Sequence, residues 1–375
     1  MPEPFKAVFN QELIAIMAHH FQRQWADFDQ EGFVNIASHD IETLELKARS
    51  QQIVTAMLEY LPKDFQLTGE LLLKTLSPSV EPGVFPQKSD DQGLSGWAIM
   101  PLADYVGLYG QDHFELSMTL LKALTQRFSS EFGIRFFLLK QPEKTLAVLK
   151  LWCSDPDRHV RRLVSEGTRP RLPWATRLPL FIKDPLPVLA LLEQLKDDKE
   201  AYVRRSVANN LNDIGKDNPA ALLSLVEDWI TEASKERRQL IRHACRSLIK
   251  QGEQRALRLL GYRALKYRRF ELDLQTPNVV LGETLTFSIL LDSDASKAQP
   301  LIIDYRIHHC KANGKTTAKV FKWRTTILSS KKTVRLTKNH AIRKITTRRY
   351  YAGIHRLEVL LNGVSVGEKE FYLQV

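Results

Sequence analysis

Cysteine is scarce. Cys153, Cys245 and Cys310 are the only three in 375 residues, and none belongs to a C-x-x-C pair. That spacing excludes a disulfide framework and a zinc knuckle, and it predicts reduced, buried thiols that serve as packing. No apolar run reaches the roughly 18 residues that a membrane-spanning helix needs. The opening MPEPFKAVFNQEL lacks the basic-then-apolar order of a secretion signal, so a cytosolic protein is expected. There is no Gly-rich phosphate loop and no H-E-x-x-H, and the pairs His19-His20 and His308-His309 lack metal-ligand spacing. Neither a metal nor a nucleotide cofactor is expected.

The most informative absence is acidic. Between Asp304 and Glu358 there is neither Asp nor Glu, while Lys and Arg occur fifteen times, among them Lys331, Lys332, Arg335, Lys338, Arg343, Lys344, Arg348 and Arg349. Phosphate neutralisation with counterion release rewards such an array, so these eight side chains are candidate DNA contacts. The competing reading of a charge run is a solvated face.

The length predicts two domains. Residues 1 to about 75 read as helices, with Leu13, Ile16 and Met17, then Leu44, Ala48, Ile53, Met57 and Leu58 at helical spacing. A Pro-, Gly- and Ser-rich stretch at 77–96 reads as a long loop, and helices resume from Trp97 to about 266. An internal repeat lies within them. Adding 43 to Pro142, Leu146, Leu149, Trp152, Asp155, Val160 and Arg161 gives Pro185, Leu189, Leu192, Leu195, Asp198, Val203 and Arg204, matched in kind throughout. A third copy starts at Pro219, with Leu223, Val226 and Trp229, then a longer connection to Ile241 and Arg242. This is the pattern of HEAT-type helical pairs stacked into a curved solenoid.

The 3.6-residue period divides the second helix of each copy into faces. Val160, Leu163 and Val164, with Val203, Ser206 and Val207, and Ile241, Ala244 and Cys245, form the packed stripe. Arg161, Arg204 and Arg242 read as structural, bracing Asp155 or Asp198. The next face carries Arg162, Glu166 and Arg169, then Arg205, Asn209 and Asn212, then His243, Ser247 and Lys250. Polar and largely basic, it is expected to be the ligand-facing wall. From about 268, alternation at Leu285, Phe287 and Ile289, at Leu301 to Ile307, at Leu357 to Leu361 and at Phe371 to Val375, with turns at Asn313-Gly314 and Asn362-Gly363, predicts an immunoglobulin-like β-sandwich. The fold class is mainly α: a helical-repeat domain over 1–267 followed by a basic sandwich over 268–375.

Three segments are distinctive: SSEFGIRFFLL at 129–139, DPDRHVRRLVSEGTRPRLPW at 155–174 and YVRRSVANNLNDIGKDNP at 202–219. They closely resemble the bacterial AlkC-type DNA alkylation-repair glycosylases, and the resemblance extends over essentially the whole chain. It implies excision of cationic alkylated bases, 3-methyladenine and 3-methylcytosine, from duplex DNA, on a HEAT-like scaffold that holds the damaged nucleotide without full base flipping. Gly133 and Phe136 depart from the family pattern, which has Ala and Pro there, and Gly133 lowers helix propensity beside Glu131.

An N3-alkylated base already carries positive charge and leaves without a general acid. The enzyme must stabilise the oxocarbenium-like sugar, which a carboxylate does while positioning water. The resemblance puts the family's acids on Glu131 and Glu166. Trp174 is the candidate aromatic against sugar or base, and Arg169 and Arg171 the candidates for flanking phosphates. Without the resemblance, Glu131 four residues before Arg135 and Glu166 four after Arg162 read as helix-surface ion pairs. Trp174 alone would read as a core aromatic, but its neighbours Arg171, Pro173 and Arg177 suggest a surface loop. No Lys beside an acid suggests Schiff-base chemistry, so a monofunctional hydrolase acting as a monomer on double-stranded DNA is expected, with the sandwich closing around the duplex. Two rival readings stay open: a non-catalytic binder of DNA structure, and a protein-interaction scaffold, against which the acid-free segment counts.

Overall fold

The structure is a computed structural model that describes residues 5–78, 84, 87–346 and 348–375. Its helices are α1 (Gln11–Gln24), α2 (Gln30–Ser38), α3 (Leu46–Tyr60), α4 (Phe65–Thr75), α5 (Ile99–Tyr109), α6 (Phe114–Thr125), α7 (Ile134–Lys140), α8 (Pro142–Trp152), α9 (Arg158–Gly167), α10 (Pro179–Lys183), α11 (Leu186–Leu195), α12 (Ala201–Asp217), α13 (Pro219–Ile230), α14 (Lys235–Ala244), α15 (Arg246–Gln251) and α16 (Gln254–Leu259). Eight strands follow: β1 (Tyr267–Leu274), β2 (Asn278–Val280), β3 (Thr284–Ser293), β4 (Gln299–Cys310), β5 (Thr316–Leu328), β6 (Thr333–Ala341), β7 (Gly353–Leu361) and β8 (Val364–Gln374). Among the described residues no helix is long and apolar enough to cross a membrane. Two compact units are present, one of residues 1–218 with 234–244 and one of 219–233 with 245–375.

In the first unit, helix starts follow local chemistry. The side chains of Asn10, Asp29, Asp64 and Asp157 accept hydrogen bonds from free N–H groups of the first turns of α1, α2, α4 and α9. Helices occupy the N-terminal region as expected, but the buried face of α3 differs. Ile53, Val54 and Met57 are buried, whereas Ala48 and Leu58 are exposed, because the face also takes in Arg49, whose guanidinium donates to the carbonyls of Phe9, Leu44 and Glu42. The described part of the 77–96 stretch is tied down: Ser77 N–H donates to Leu94 O at 3.1 Å and Leu94 N–H to Thr75 O at 2.8 Å. Residues 79–83, 85 and 86 lie outside the described residues.

The repeat is visible as the pairs α8/α9 and α11/α12, and every residue of the expected packed stripe is buried. Arg161 braces Asp198 of the next copy, Nε to Oδ2 at 2.6 Å and Nη2 to Oδ1 at 3.0 Å, while Arg204 donates to the carbonyl of Asp198. The third copy departs from expectation. Because α14 ends at Ala244, Ser247 and Lys250 belong to α15 and do not continue the helix face of His243.

The second unit holds α13, α15 and α16 together with a sandwich of two sheets, ordered β1-β3-β6 and β2-β8-β7-β4-β5, antiparallel throughout except for β2 beside β8. The alternating residues read from the sequence fill its core: Leu285 and Phe287 of β3 with Tyr305 and Ile307 of β4, Leu357 of β7, and Phe371 and Leu373 of β8. The β7–β8 turn has φ of 46° at Asn362 and 79° at Gly363, the left-handed pair that a two-residue hairpin requires. The acid-free segment supplies β5 and β6, strands that sequence alternation did not reveal because polar residues occupy most of both faces. Cys153 and Cys245 are buried as expected; Cys310 is half-buried.

Candidate carboxylate site

The site lies in the first unit, where α9, α12 and the turn before α7 meet. Helical spacing on α9 sets Arg162 and Glu166 in a row opposite its packed stripe, and Arg169 follows just beyond the helix end at Gly167. The turn supplies Ser129, Glu131 and Phe132, and α12 supplies Tyr202, Ser206 and Asp213. Arg162 Nη1 pairs with Glu131 Oε2 and donates to Ser129 Oγ at 3.0 Å, and its Nη2 lies 3.6 Å from Glu166 Oε1. Arg169 donates from Nη1 to Glu166 Oε1 at 2.6 Å and from Nε to Asp213 Oδ2 at 2.8 Å. Ser206 Oγ donates to Glu166 Oε2 at 2.6 Å, and Lys216 closes the row on Asp213. Both carboxylates predicted from the sequence therefore sit either side of one guanidinium.

Glu166 is 5% exposed. Burial pushes its carboxyl up, but Arg162, Arg169 and the Ser206 hydroxyl pull it down further, and the result is a carboxyl held below its usual range. A group so held stays ionised. Neither acid is a simple helix-surface ion pair: Arg135 turns away from Glu131 and donates instead to the carbonyls of Gly167, Arg169 and Thr176.

Around the two acids is a cavity of about 400 Å³ whose walls include Trp97, Phe128, Phe132, Trp174 and Tyr202. The Arg162 guanidinium sits 5.4 Å from the centre of the Tyr202 ring. Trp174 is 59% exposed, so it is no core aromatic, and its φ of +64° is a conformation that bulky L residues rarely adopt. Gly133 has a physical reason to be glycine, since a Cβ there would lie 2.3 Å from Ala103 O, and Gly107 leaves the corresponding room for Phe136. The close α5–α7 approach that results seats the Glu131 turn.

Several expected DNA contacts need correction. Arg169 is buried with its guanidinium committed to Glu166 and Asp213, so it positions Glu166 and does not offer itself to phosphate. Asn212 is buried too, because the 17-residue α12 turns that position inward. Arg162 bridges the carboxylates, and Arg171 is held by Asp217 through two bonds of 2.6 Å. The expected basic wall is thus a row of alternating charges. Exposed Arg205, with Tyr202, Arg204 and His243, lines a neighbouring cavity of about 460 Å³ between α12 and α14, and Asn209 bonds to His243 at 2.9 Å. Sequence reasoning missed Ser206, Asp213 and the aromatics Trp97, Phe128, Phe132 and Tyr202. Phe128 and Phe132 bracketing Glu131 was the available signal.

In the second unit Lys332, Arg335, Arg343, Lys344 and Arg349 are exposed. Lys331 is held by Asp294, and Lys338 is half-buried beside the Tyr305 ring. Arg348 donates to His309 Nε2, whose imidazole burial pushes down to about 3 and so keeps neutral.

A second, smaller cavity of about 120 Å³ is lined by Lys47, Asp104, Phe132, Arg135, Ala175 and Thr176 among others. Burial pushes the Asp104 carboxyl up to about 7, against the pull of Lys47, from its ordinary 3.8. With the folded-state value above the unfolded one, ionising Asp104 opposes folding: the cost is absent below pH ~4, grows through the interval and is complete above pH ~7. Asp104→Asn is expected to raise unfolding free energy at pH 8 by on the order of 2 kcal/mol, with no gain near pH 4, by urea denaturation at both values.

Residues 125–248 match the family described as DNA alkylation repair enzyme, and residues 269–375 match the C-terminal Ig-like domain of the uncharacterised protein YhaZ. The chain is 38% identical over 361 residues to the uncharacterised protein YhaZ of Bacillus subtilis strain 168, covering 96% of each. It is similar, with a TM-score of 0.89 and 37% identity over all of both chains, to the solved Pseudomonas fluorescens alkylpurine DNA glycosylase AlkC bound to DNA containing an abasic site analogue. On identity of this level along the full length of both chains, the protein belongs to the AlkC family of alkylpurine DNA glycosylases among the DNA alkylation repair enzymes.

Proposed function

We propose that the protein hydrolyses the N-glycosidic bond of cationic N3-alkylated bases, 3-methyladenine and 3-methylcytosine, in duplex DNA, as a monofunctional glycosylase that does not fully flip the base. The observation that carries this reading is the pair of carboxylates bridged by Arg162 within aromatic walls. Such walls suit a cationic base through their negative ring faces. An ionised acid pair suits a reaction in which positive charge moves from base to sugar. As the bond between C1′ and the base nitrogen breaks, its electron pair neutralises the base, water adds to C1′, and the proton of that water passes to a carboxylate. Glu131 suits that last role, since its bonds from Ser129 and Arg162 both fall on Oε2. Glu166, with both oxygens engaged, suits the steadier role of fixing Arg162 and the local charge. The DNA in the AlkC relative, which contains an abasic site analogue, supports DNA as the ligand.

Duplex DNA treated with a methylating agent and incubated with the protein is expected to release free 3-methyladenine and 3-methylcytosine, identified by chromatography, with no borohydride-trapped covalent adduct. Tight DNA binding without any freed base in single-turnover conditions would overturn the reading in favour of a non-catalytic binder.

A further inference from the structure

Trp174 presents a physical problem. A bulky L residue at φ +64° persists only where its surroundings over-determine it, and a ring that is 59% exposed is not held there by burial. The turn that carries it holds itself weakly. Pro170 and Pro173 contribute no N–H, and the internal bonds, Ala175 N–H to Leu172 O at 3.3 Å and Leu178 N–H to Pro170 O at 3.2 Å, are long.

Beyond a tilted contact of the Trp174 ring with that of Phe5 at 5.8 Å, the backbone of the turn is held by two cations on other helices. Arg135 of α7, fully buried, donates at 2.8 Å to Gly167 O, Arg169 O and Thr176 O. No carboxylate lies within ion-pairing distance of it among the described residues, and burial together with the Arg169 charge pushes it down to about 10. Its compensation is the set of carbonyl dipoles at the C-terminal end of α9, which favours a cation. Lys47 of α3 donates to Trp174 O itself and lies 5.9 Å from the centre of the Phe132 ring. Phe132 and the 173–176 turn separate the two cavities, so Lys47 and Arg135 grip the turn from behind while Trp174 faces the carboxylate cavity.

We infer that Lys47 and Arg135 are positioning residues, a clamp on the backbone of the 167–176 turn that fixes Trp174 at the rim of the carboxylate cavity. The inference rests on the glycosylase reading for its consequence in activity, though not for the clamp itself. Neither cation touches the cavity in which the reaction is placed.

Two measurements test it. In Lys47→Met, which keeps the apolar stem and removes the cation at an exposed position, amide hydrogen exchange over 168–178 should accelerate at least tenfold while α9 and α12 keep parental protection. Unchanged exchange overturns the clamp whether or not the protein excises bases. In single-turnover excision, Lys47→Met should lose about 10- to 100-fold in rate with DNA affinity unchanged, and Lys47→Arg should recover most of it. In a Trp174→Ala background the same Lys47→Met change should cost nothing more, as expected if Lys47 acts through Trp174. Independent, multiplying losses overturn the inference. A parent protein that frees no base, together with accelerated exchange in the variant, would instead remove the glycosylase reading and leave the clamp standing.

Discussion

Glu131→Gln is expected to lower the single-turnover rate of base release on the order of 10³-fold while leaving affinity for damaged duplex at or above the parental value. The substitution keeps the shape of the side chain and removes the charge that we propose stabilises the developing cation on the sugar. Loss of one anion beside a polyanion does not weaken binding, so the effect belongs in rate. Glu166→Gln is expected to be as slow but also less stable, because the amide leaves Arg162 and Arg169 without their shared counter-charge in a buried setting; breaking such an arrangement costs about 3 kcal/mol. The stability loss of the Glu166 variant should depend on pH. Since the Glu166 carboxyl is held below its ordinary 4.5, its contribution to stability is complete above that value and is lost as pH falls through the lowered one. Unfolding curves of Glu166→Gln and parent should therefore differ most near neutrality and converge in acid. Parental rates in both variants would remove the chemistry from these acids.

How much of this was legible in the sequence depends on the range of the interaction concerned. Period 3.6 on 158–167 separated Val160, Leu163 and Val164 from Arg162 and Glu166, because side-chain direction on a helix is local, whereas Arg169, read onto the same face, lies beyond the helix end at Gly167. It did not reveal that the second face is also covered: Asp213 lies 44 residues from Arg169, and Ser206 lies 40 from Glu166. A polar face that meets a complementary polar face has the same pattern as one that meets water. Arg49 shows the same limit, a buried cation on carbonyls being indistinguishable in sequence from a surface one. The resemblance supplied Glu131 and its partnership with Glu166, which spacing alone would have assigned to Arg135. The left-handed backbone of Trp174 had no sequence signal, since neither glycine nor asparagine marks it. In the sandwich, the strands with one apolar face were readable by alternation. Strands β5 and β6, with Lys319, Lys322, Arg324, Arg335 and Lys338, were readable only as charge.

That charge carries the remaining large prediction. Reversal of Lys332, Arg335 and Lys344 to Glu is expected to weaken binding to undamaged duplex by about 10²–10³-fold near 0.1 M salt, and to reduce the slope of log K against log salt by about 0.9 for each phosphate that the variant no longer neutralises. All three side chains are exposed, so folding stability should change little. None lines the carboxylate cavity, so the rate of excision at saturating DNA should stay parental. Two neighbouring positions serve as internal comparisons. Lys331 is held by Asp294 at 2.7 Å, and Arg348 donates to a neutral buried His309, so neither offers phosphate an uncommitted cation. Their substitution to Gln should cost less affinity per charge removed than substitution of Arg335 to Gln. A salt slope unmoved by the triple reversal would mean that the acid-free strands meet water and not phosphate, and would confine the DNA contact to the helical unit.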